Sequence, residues 1–415
     1  MSELDGKQNG RVRGAELVNG WTTRPLGDTC AVFTDGDWIE TKDQSPEGVR
    51  LIQTGNVGEG VFKSRDEKAR YISNATFQRL KCTEIFESDC LISRLPDPVG
   101  RSCILPDTGE LMITAVDCTI VRFYADQVIP NFFNYYSQSH HYLKDVNSET
   151  TGTTRRRISR SKLGQIPIPV PPLPEQRRIV AILDEAFTGI ATARANAERN
   201  LRNARALFES HLEGVFSRRG KGWVETALGK AFDVRDGTHD SPKYHEAGYP
   251  LITSKNLKRE GLSFEKVKYI NERDYNQINK RSAVHKGDVL LAMIGTIGNP
   301  TVITIEPKFA IKNVALFKVP SRQCGYFLKY YLCSRYVSSK MIREARGTTQ
   351  KFVSLAYLRN FPIRLPSYAD QRMIAEQLEE FGKEIDRLET LYQRKLAALD
   401  ELKKSLLDRA FSGRL

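Results

Sequence analysis

Apolar positions along the chain follow two patterns in turn, and the whole order occurs twice. Short β-type runs bounded by Gly, Asp and Pro come first, such as VRLIQT (49–54), LMITAV (111–116), PLITS (250–254) and DVLLAMIG (288–295). Each set is followed by a long stretch in which apolar residues recur every three or four positions. The pattern predicts a mixed α/β domain and then a long helix, two times over.

The two helical stretches are each about 40 residues long, or about 60 Å at 1.5 Å per residue. Neither can bury a one-sided apolar stripe alone, so we predict that the helices pack against each other in antiparallel orientation. A homodimer that pairs its helices between chains is the alternative. The stripe positions are Ile179, Leu183, Ala186, Ile190, Ala193 and Ala197 in the first helix, and Ile374, Leu378, Phe381, Ile385, Leu388 and Tyr392 in the second.

Direct repetition in the sequence supports this organisation. GTTRRRIS (152–159) returns as GTTQKFVS (347–354), and IPIPVP (166–171) returns as FPIRLP (361–366) at the same distance. GVRLIQTGNV (48–57) aligns with GYPLITSKNL (248–257). Because these matches keep their order along the chain, we interpret the sequence as a tandem duplication.

The predicted fold class is α+β, with two pseudo-repeated mixed α/β domains separated by two long antiparallel coiled-coil helices. The predicted boundaries are a flexible N-terminal leader at 1–20, a first domain at 21–172, a central helix at 173–218, a second domain at 219–366 and a C-terminal helix at 367–415.

The net charge of the chain indicates the chemical class of a binding partner. Lys and Arg number 63 against 50 acidic residues, which gives a net charge of +13 and favours a polyanion. No apolar run reaches the roughly 18 residues of a membrane span. Seven cysteines without a CxxC pair are typical of reduced thiols, and we therefore expect a cytoplasmic protein.

Two related domains on a helical spacer suit double-stranded DNA, because readers of duplex DNA are spaced to match its helical repeat. Related but different domains predict an asymmetric, interrupted target. Arg suits guanine or phosphate, Gln suits adenine, and hydroxyl groups suit phosphate oxygens. The candidate DNA-binding residues are Asn56, Arg101, Thr153, Thr154, Arg155, Arg156, Arg157, Arg160, Lys243, Lys255, Asn256, Thr348, Thr349, Gln350 and Lys351. For each of them a purely structural turn is the competing interpretation.

Motifs that carry chemistry are missing from the sequence. We find no GxxxxGK[ST] phosphate loop, no Asn/Asp-Pro-Pro-aromatic motif of an amino-methyltransferase and no Cys/His spacing of a zinc site. The segment IETK (39–42) has the Glu-x-Lys pattern of some nucleases, but its repeat partner lacks it. We therefore predict no catalytic residue, no metal and no cofactor.

The helix entries carry a resemblance to a known family. IPIPVPPLPEQRRIVAILDEA, its altered copy FPIRLPSYADQRMIAEQLEEF and the terminal AFSGRL resemble the DNA specificity subunit of type I restriction–modification systems. The resemblance implies two target recognition domains, two methyltransferase subunits and two ATP-dependent restriction subunits as partners. It also implies that the helix entries dock partners, through Glu175, Gln176, Ile179, Gln371 and Ile374.

Three alternatives stay open at this point. The chain could serve a type IIB-like restriction–methylation system, which differs in its neighbouring subunits. It could cut or methylate DNA alone, although the missing motifs argue against this. It could also be a coiled-coil scaffold that binds DNA without sequence preference, whose binding would fall with salt for all sequences alike.

The predicted helical spacer leads to a first test. Deleting one heptad-length block from both helices should shorten the gap of the target and leave both half-sites unchanged, because the helices set only the spacing. The measurement is the methylated motif in cells that carry the shortened subunit with its partner genes. An unchanged gap would contradict the spacer role.

Overall fold

The computed structural model describes residues 20–217 and 222–415. All of the predicted leader except Gly20 lies outside the described residues. The chain divides into two compact units, the first formed by 20–196 with 395–415 and the second lying within 197–394. The two long helices each contribute to both units. No helix in the described ranges is long and apolar enough to cross a membrane.

The first unit contains two sheets and a small strand pair. Its strands are β1 (Thr22–Pro25), β2 (Cys30–Asp35), β3 (Gln44–Ser45), β4 (Val49–Ile52), β5 (Tyr71–Ile72), β6 (Glu84–Ile85), β7 (Cys90–Ser93), β8 (Ser102–Ile104), β9 (Met112–Thr114), β10 (Cys118–Phe123) and β11 (Pro167–Val170). One antiparallel sheet has the order β2-β10-β7-β8, the other the order β3-β5-β4-β9-β6, and β1 pairs with β11. The β4–β9 pair is parallel, with Leu51 opposite Ile113.

The helices of this unit follow or flank the sheets. They are α1 (Asn74–Leu80), α2 (Pro130–Tyr136), α3 (His140–Ser148), α4 (Arg160–Gly164) and the N-terminal part of α5 (Leu173–Ser217). Short 3-10 turns lie at Leu26–Thr29, Thr41–Asp43 and Asp66–Lys68. Serine side chains accept a hydrogen bond from the first turn of α1, α3 and α4, which explains where these helices begin.

The second unit repeats this arrangement. Its strands are β12 (Val224–Ala227), β13 (Asp233–Asp236), β14 (Tyr249–Ile252), β15 (Leu257–Lys258), β16 (Gly261–Leu262), β17 (Lys268–Ile270), β18 (Val289–Ala292), β19 (Gly298–Val302), β20 (Ala310–Ile311), β21 (Val314–Lys318) and β22 (Pro362–Leu365). Its helices are α6 (Leu228–Ala231), α7 (Glu272–Ser282), α8 (Gly325–Cys333), α9 (Arg335–Glu344), α10 (Leu355–Asn360) and α11 (Tyr368–Phe411), with a 3-10 turn at Ser254–Asn256.

Sheet topology shows that the two units are copies. The order β13-β21-β18-β19 corresponds strand by strand to β2-β10-β7-β8, and β12 pairs with β22 as β1 pairs with β11. The smaller sheet β17-β14-β20 again contains one parallel pair, with Leu251 opposite Ala310. The α+β class and the internal repeat are confirmed.

Within the first unit, α5 and the end of α11 run antiparallel. Leu183 of α5 shares an apolar cluster with Leu407 and Ala410 of α11. Further along α5, Arg194 forms an ion pair with Asp400, so the α11 partner number falls as the α5 number rises. Apolar packing and charge therefore support the same pairing.

Within the second unit, the remaining parts of the two helices also run antiparallel. Leu212 packs with Leu378, and Phe208 stacks on Phe381 at a ring-centroid distance of 6.0 Å. Glu389 accepts a hydrogen bond from Arg205 at 3.1 Å and is buried. Burial alone would raise the pKa of Glu389, but hydrogen bonds from arginine outweigh it and lower that pKa overall.

The glutamine of each helix entry is a buried joint between helix and domain. Gln176 accepts a hydrogen bond from the main-chain N–H of Ile129 at 2.8 Å and donates to the carbonyls of Gln127 and Pro171 at 2.7 and 2.8 Å. Gln371 does the same in the second unit, where its amide oxygen accepts from Cys324 and its amide nitrogen donates to Pro366.

These contacts change the interpretation of the predicted docking residues. Gln176, Gln371 and Ile179 are almost completely buried inside their own unit, so they hold the helix on its domain and present nothing to a partner. Glu175 and Ile374 remain partly exposed, with Glu175 in an ion pair with Arg178 at 2.8 Å.

A tyrosine forms a second anchor in each unit. Tyr135 donates its hydroxyl hydrogen bond to Asp184, and Tyr330 donates to Glu379 at 2.7 Å. Burial, followed by the nearby carboxylate, raises the pKa of both tyrosines, so both hydroxyls stay protonated donors at neutral pH. The same two side-chain anchors thus attach each domain to its helix.

The joint yields a stability prediction. Gln176→Ala should lower the free energy of unfolding of the first unit by about 2–4 kcal/mol, because it leaves buried main-chain N–H and C=O groups without partners. Arg177→Ala, at the exposed neighbouring position, is the control and should change it by less than about 0.5 kcal/mol. Urea unfolding of the full chain measures both, and equal midpoints would contradict the role of the joint.

Candidate nucleic-acid interface

In the first unit, several loops meet at one end of the four-stranded sheet. β2 and β7 end there, and β8 and β10 begin there. The basic loop 151–158 is attached to this end by a hydrogen bond from Ile158 N to Arg94 O at 3.3 Å. An ion pair between Arg157 and Asp117 at 3.3 Å adds to the attachment. The loop that carries most of the candidate residues is therefore part of a defined surface.

The second unit builds the same surface from different residues. The hydrogen bond from Val353 N to Met293 O, at 3.0 Å, corresponds to the bond between Ile158 and Arg94. Gly295 N adds a bond to Lys351 O at 2.9 Å. Loop 346–353 thus occupies the place of loop 151–158 at the end of the corresponding sheet.

Both basic loops are closed by the same turn. Thr151 and Arg157 exchange two main-chain hydrogen bonds of 2.9 Å, and Arg346 and Phe352 do the same at 2.9 and 2.8 Å. Gly152 and Gly347 follow the first residue of each turn with φ of 96° and 99°. This is a left-handed conformation that a residue with a side chain rarely adopts, so the Gly of each GTT motif has a structural reason.

Most of the predicted residues lie on these surfaces. Arg156 is exposed and donates to Asn147 O at 3.2 Å, and Arg160 donates to Thr34 Oγ1 at 3.4 Å. The remaining loop candidates are also exposed: Thr153, Thr154, Arg155, Arg157, Thr348, Thr349, Gln350 and Lys351. Elsewhere in the second unit, Lys243 is exposed in a loop and Lys255 is exposed in the 3-10 turn Ser254–Asn256. The structure thus presents these polar groups to solvent.

Asn56 and Asn256 are buried and close equivalent turns instead. Asn56 accepts from Gln53 N at 3.0 Å and donates to Lys63 O at 2.8 Å. Asn256 likewise accepts from Thr253 N at 3.0 Å and donates to the carbonyl of residue 263. Because both amide ends are occupied, we assign these side chains a structural role and leave them out of the interface.

Arg101 is also a structural residue. Its guanidinium group is buried and donates to the carbonyl oxygens of residues 54, 57, 95, 96 and 98 at distances of 2.7 to 3.0 Å. Desolvation lowers the pKa of Arg101 from its ordinary value, which still leaves an arginine cationic at neutral pH. The guanidinium group is held by these carbonyl groups and is not available to a ligand.

One supporting residue was missed from the sequence. Arg94 is 3% exposed, forms an ion pair with Asp35 at 3.1 Å and donates to Val116 O. It connects β2, β7 and the turn before β10, and its own carbonyl receives the basic loop. A single Arg between two strands gives no sequence signal that separates this role from DNA contact.

Two further predictions concern metal ligands and the segment IETK. In the described ranges, 20–217 and 222–415, no three His, Cys, Asp or Glu side chains are grouped as metal ligands. Within IETK, Glu40 forms an ion pair with Lys42 at 2.7 Å and caps the following 3-10 turn. The surfaces present hydrogen-bonding and charged side chains to solvent.

Comparison with known proteins identifies the family. Residues 19–198 and 220–395 both match the type I restriction modification DNA specificity domain, so the chain belongs to this family. The two matches correspond to the two copies of the repeat.

Individual relatives agree with this assignment. The chain is 25% identical over 289 residues to the type I restriction enzyme MjaVIII specificity subunit of Methanocaldococcus jannaschii, covering 65% of this chain and 67% of that subunit. It is 23% identical over 310 residues to the EcoBI specificity subunit of Escherichia coli, covering 66% of this chain and 64% of that subunit. The putative MjaX specificity subunit of M. jannaschii is 22% identical and matches over 96% of this chain and 95% of its own length.

Solved structures share the fold. A chain from a structural study of complex assembly and conformational transition of the type I R-M system has a TM-score of 0.79. It is 20% identical, and the match covers 97% of this chain and all of that one. The HsdS subunit from Thermoanaerobacter tengcongensis, also 20% identical, has a TM-score of 0.62 over 97% of this chain and 99% of its own.

The buried arginine and the exposed arginines lead to different predictions for the free energy of unfolding. Arg101→Ala should lower the free energy of unfolding by about 3 kcal/mol, because it leaves several buried carbonyl groups without a donor. The double variant Arg155→Ala/Arg156→Ala should change it by less than about 0.5 kcal/mol, because both side chains are exposed. Thermal unfolding of the full chain measures both, and similar losses in the two variants would contradict the assignment.

Proposed function

We propose that the chain is the DNA-reading subunit of a type I restriction–modification complex and that each unit reads one half of an interrupted target. The observation that carries the proposal is the repeated sheet end. The same turn, attached by the same main-chain bonds, presents Arg155, Arg156 and Arg157 in one unit and Gln350 and Lys351 in the other.

The chemistry of the two loops supports different half-sites. An exposed Arg can donate two hydrogen bonds to guanine O6 and N7 or bind phosphate, whereas Gln can pair with adenine N6 and N7. The threonines that precede them, Thr153 and Thr154 or Thr348 and Thr349, supply hydroxyl groups for phosphate oxygens. One fold therefore presents two base-reading chemistries, as an asymmetric target requires.

We infer that catalysis belongs to partner subunits. The related proteins are named specificity subunits of type I restriction enzymes. The resemblance of the helix entries implies two methyltransferase subunits, which modify the site, and two ATP-dependent restriction subunits. On this proposal the chain itself needs no cofactor and acts with its partners on DNA in the cytoplasm.

Docking of these partners is assigned to exposed faces of α5 and α11. Near the helix entries Glu175 is partly exposed, and Ile374 is partly exposed but also packs against the apolar core of its unit. The buried residues of the same motif act indirectly, because Gln176 and Gln371 fix where each helix leaves its domain. Partner binding and DNA reading thus use different parts of each unit.

Two other functions make different predictions. A type IIB-like system predicts cleavage on both sides of the site, and its neighbouring genes distinguish it. A non-specific scaffold predicts equal affinity for all duplexes, whereas a sequence-specific reader prefers its target by about 10³–10⁷-fold. The different side chains of the two loops favour the specific reader, because a scaffold has no need for two chemistries.

The test is a map of adenine methylation in cells that carry the gene with its genomic neighbours. Deleting the gene should remove methylation at one interrupted motif. The triple variant Thr348→Ala/Gln350→Ala/Lys351→Ala should alter or relax one half-site only, because it leaves the first unit intact. The matching triple variant Thr153→Ala/Arg155→Ala/Arg156→Ala should affect the other half.

Lys308→Ala supplies the control, because Lys308 is exposed in the second unit but lies beyond the other end of β19. It should leave the motif unchanged. Methylation that persists after deletion of the gene, or loop variants that weaken both half-sites equally, would overturn the proposal.

A further inference from the structure

Two exposed rings occupy equivalent positions beside the basic loops. Trp38 follows β2 and is 70% exposed, more than any other large hydrophobic side chain in the described part of the chain. His239 holds the corresponding position after β13, and its side chain is 58% exposed. The motifs DGDW (35–38) and DGTH (236–239) bring them to the same end of their sheets as the basic loops.

The backbone before each ring is held by the same pair of hydrogen bonds. Asp37 N donates to Thr114 O at 2.8 Å, and Asp37 O accepts from Val116 N at 3.0 Å. In the second unit, Thr238 makes the corresponding bonds to residues 311 and 313 at 3.0 and 3.1 Å. Each ring therefore projects from a fixed strand-like segment.

Side-chain contacts orient the rings as well. The carboxylate of Asp37 accepts from Thr83 N at 2.9 Å, and the indole N–H of Trp38 points to Glu40 Oε1 at 3.4 Å. The two ring nitrogens of His239 lie 2.8 Å from Asn313 Oδ1 and 2.9 Å from Asp236 Oδ2. With their polar atoms engaged inside the protein, both residues offer mainly ring carbons to a ligand.

Three carboxylates near the rings are in ion pairs within their own unit. Asp35 pairs with Arg94 at 3.1 Å, and Glu40 pairs with Lys42 at 2.7 Å. In the second unit Arg281 pairs with Asp236 at 3.0 Å. These pairs lower the electrostatic repulsion that a phosphate group would meet at the ring positions.

Solvent exposure of a fixed Trp ring is unfavourable in the free protein, because its apolar surface remains in water. Such residues dominate binding when a partner covers them. Rings contact nucleic acid through stacking, and apolar groups contact the thymine methyl group in the major groove.

We propose that Trp38 and His239 are specificity-determining contacts, one in each half-site, which pack their ring carbons against base edges of the DNA. This inference rests on the proposed function. Because an indole covers more surface than an imidazole, the equivalent contact differs between the half-sites although the supporting backbone is the same.

The test uses the full chain and two duplexes, one with the motif found by methylation mapping and one with that motif scrambled. Trp38→Ala should weaken binding to the motif duplex about ten- to hundredfold and leave binding to the scrambled duplex unchanged. In the second unit, His239→Ala should weaken binding to the motif duplex but not to the scrambled one. Tyr124→Ala is the control, because Tyr124 is 44% exposed at the opposite end of β10 and should have no effect.

Fluorescence gives a second readout that does not depend on a truncated side chain. The chain has three tryptophans, and Trp21 and Trp223 remain in the variant Trp38→Phe. Binding of the motif duplex should change the indole emission of the wild-type chain, and this change should be lost in Trp38→Phe.

The outcomes separate the two proposals. Unchanged motif affinity in Trp38→Ala and His239→Ala, with reduced affinity in Arg155→Ala/Arg156→Ala, would overturn the ring contacts and leave the DNA-reading function standing. Equal affinity of the wild-type chain for the motif duplex and the scrambled duplex would overturn the proposed function, and the ring contacts with it.

Discussion

The buried amide at each helix entry is the contact on which the rest of each unit depends. Gln176 bonds to main-chain groups on both sides of the joint, so the start of α5 cannot turn relative to its domain without leaving buried polar groups unpaired. Gln371 imposes the same constraint on α11. A domain fixed in this way presents its loops in one orientation, which the proposed base reading requires.

A division between frame and surface follows from this constraint. The frame repeats in chemical detail: Ser159 and Ser354 cap the helix after each basic loop, and Gly152 and Gly347 form each turn. The surface residues between them differ, since Arg155–Arg157 stand where the other copy has Gln350–Phe352. Because the frame depends on main-chain bonds, side chains at the loop tip can change without a cost to the fold.

The sequence predicts features that recur along the chain far better than it predicts the role of a single residue. The repeat offset and the helical spacing predict the domains, the long helices and the position of the basic loops. Neither signal shows that Asn56, Arg101 and Gln176 are buried, because a polar residue between apolar runs looks the same whether it faces solvent or bonds to buried carbonyls. Their burial depends on contacts with residues distant in sequence, as with Gln176 and Ile129. Trp38 shows the reverse case. An isolated aromatic residue in a sequence is usually part of a core, but this ring is exposed.

The same distinction limits what the net charge of +13 can mean for DNA binding. Arg50, Arg94 and Arg101 are each less than 10% exposed. Their guanidinium groups donate hydrogen bonds to carbonyl or carboxylate groups of their own unit. Buried cations cannot displace counterions from phosphate, so only exposed Lys and Arg side chains add to sequence-independent attraction. That attraction does not distinguish one sequence from another, so discrimination between targets has to come from directional contacts such as those proposed at the loop tips. A frame that fixes those tips contributes more to recognition than additional surface charge would.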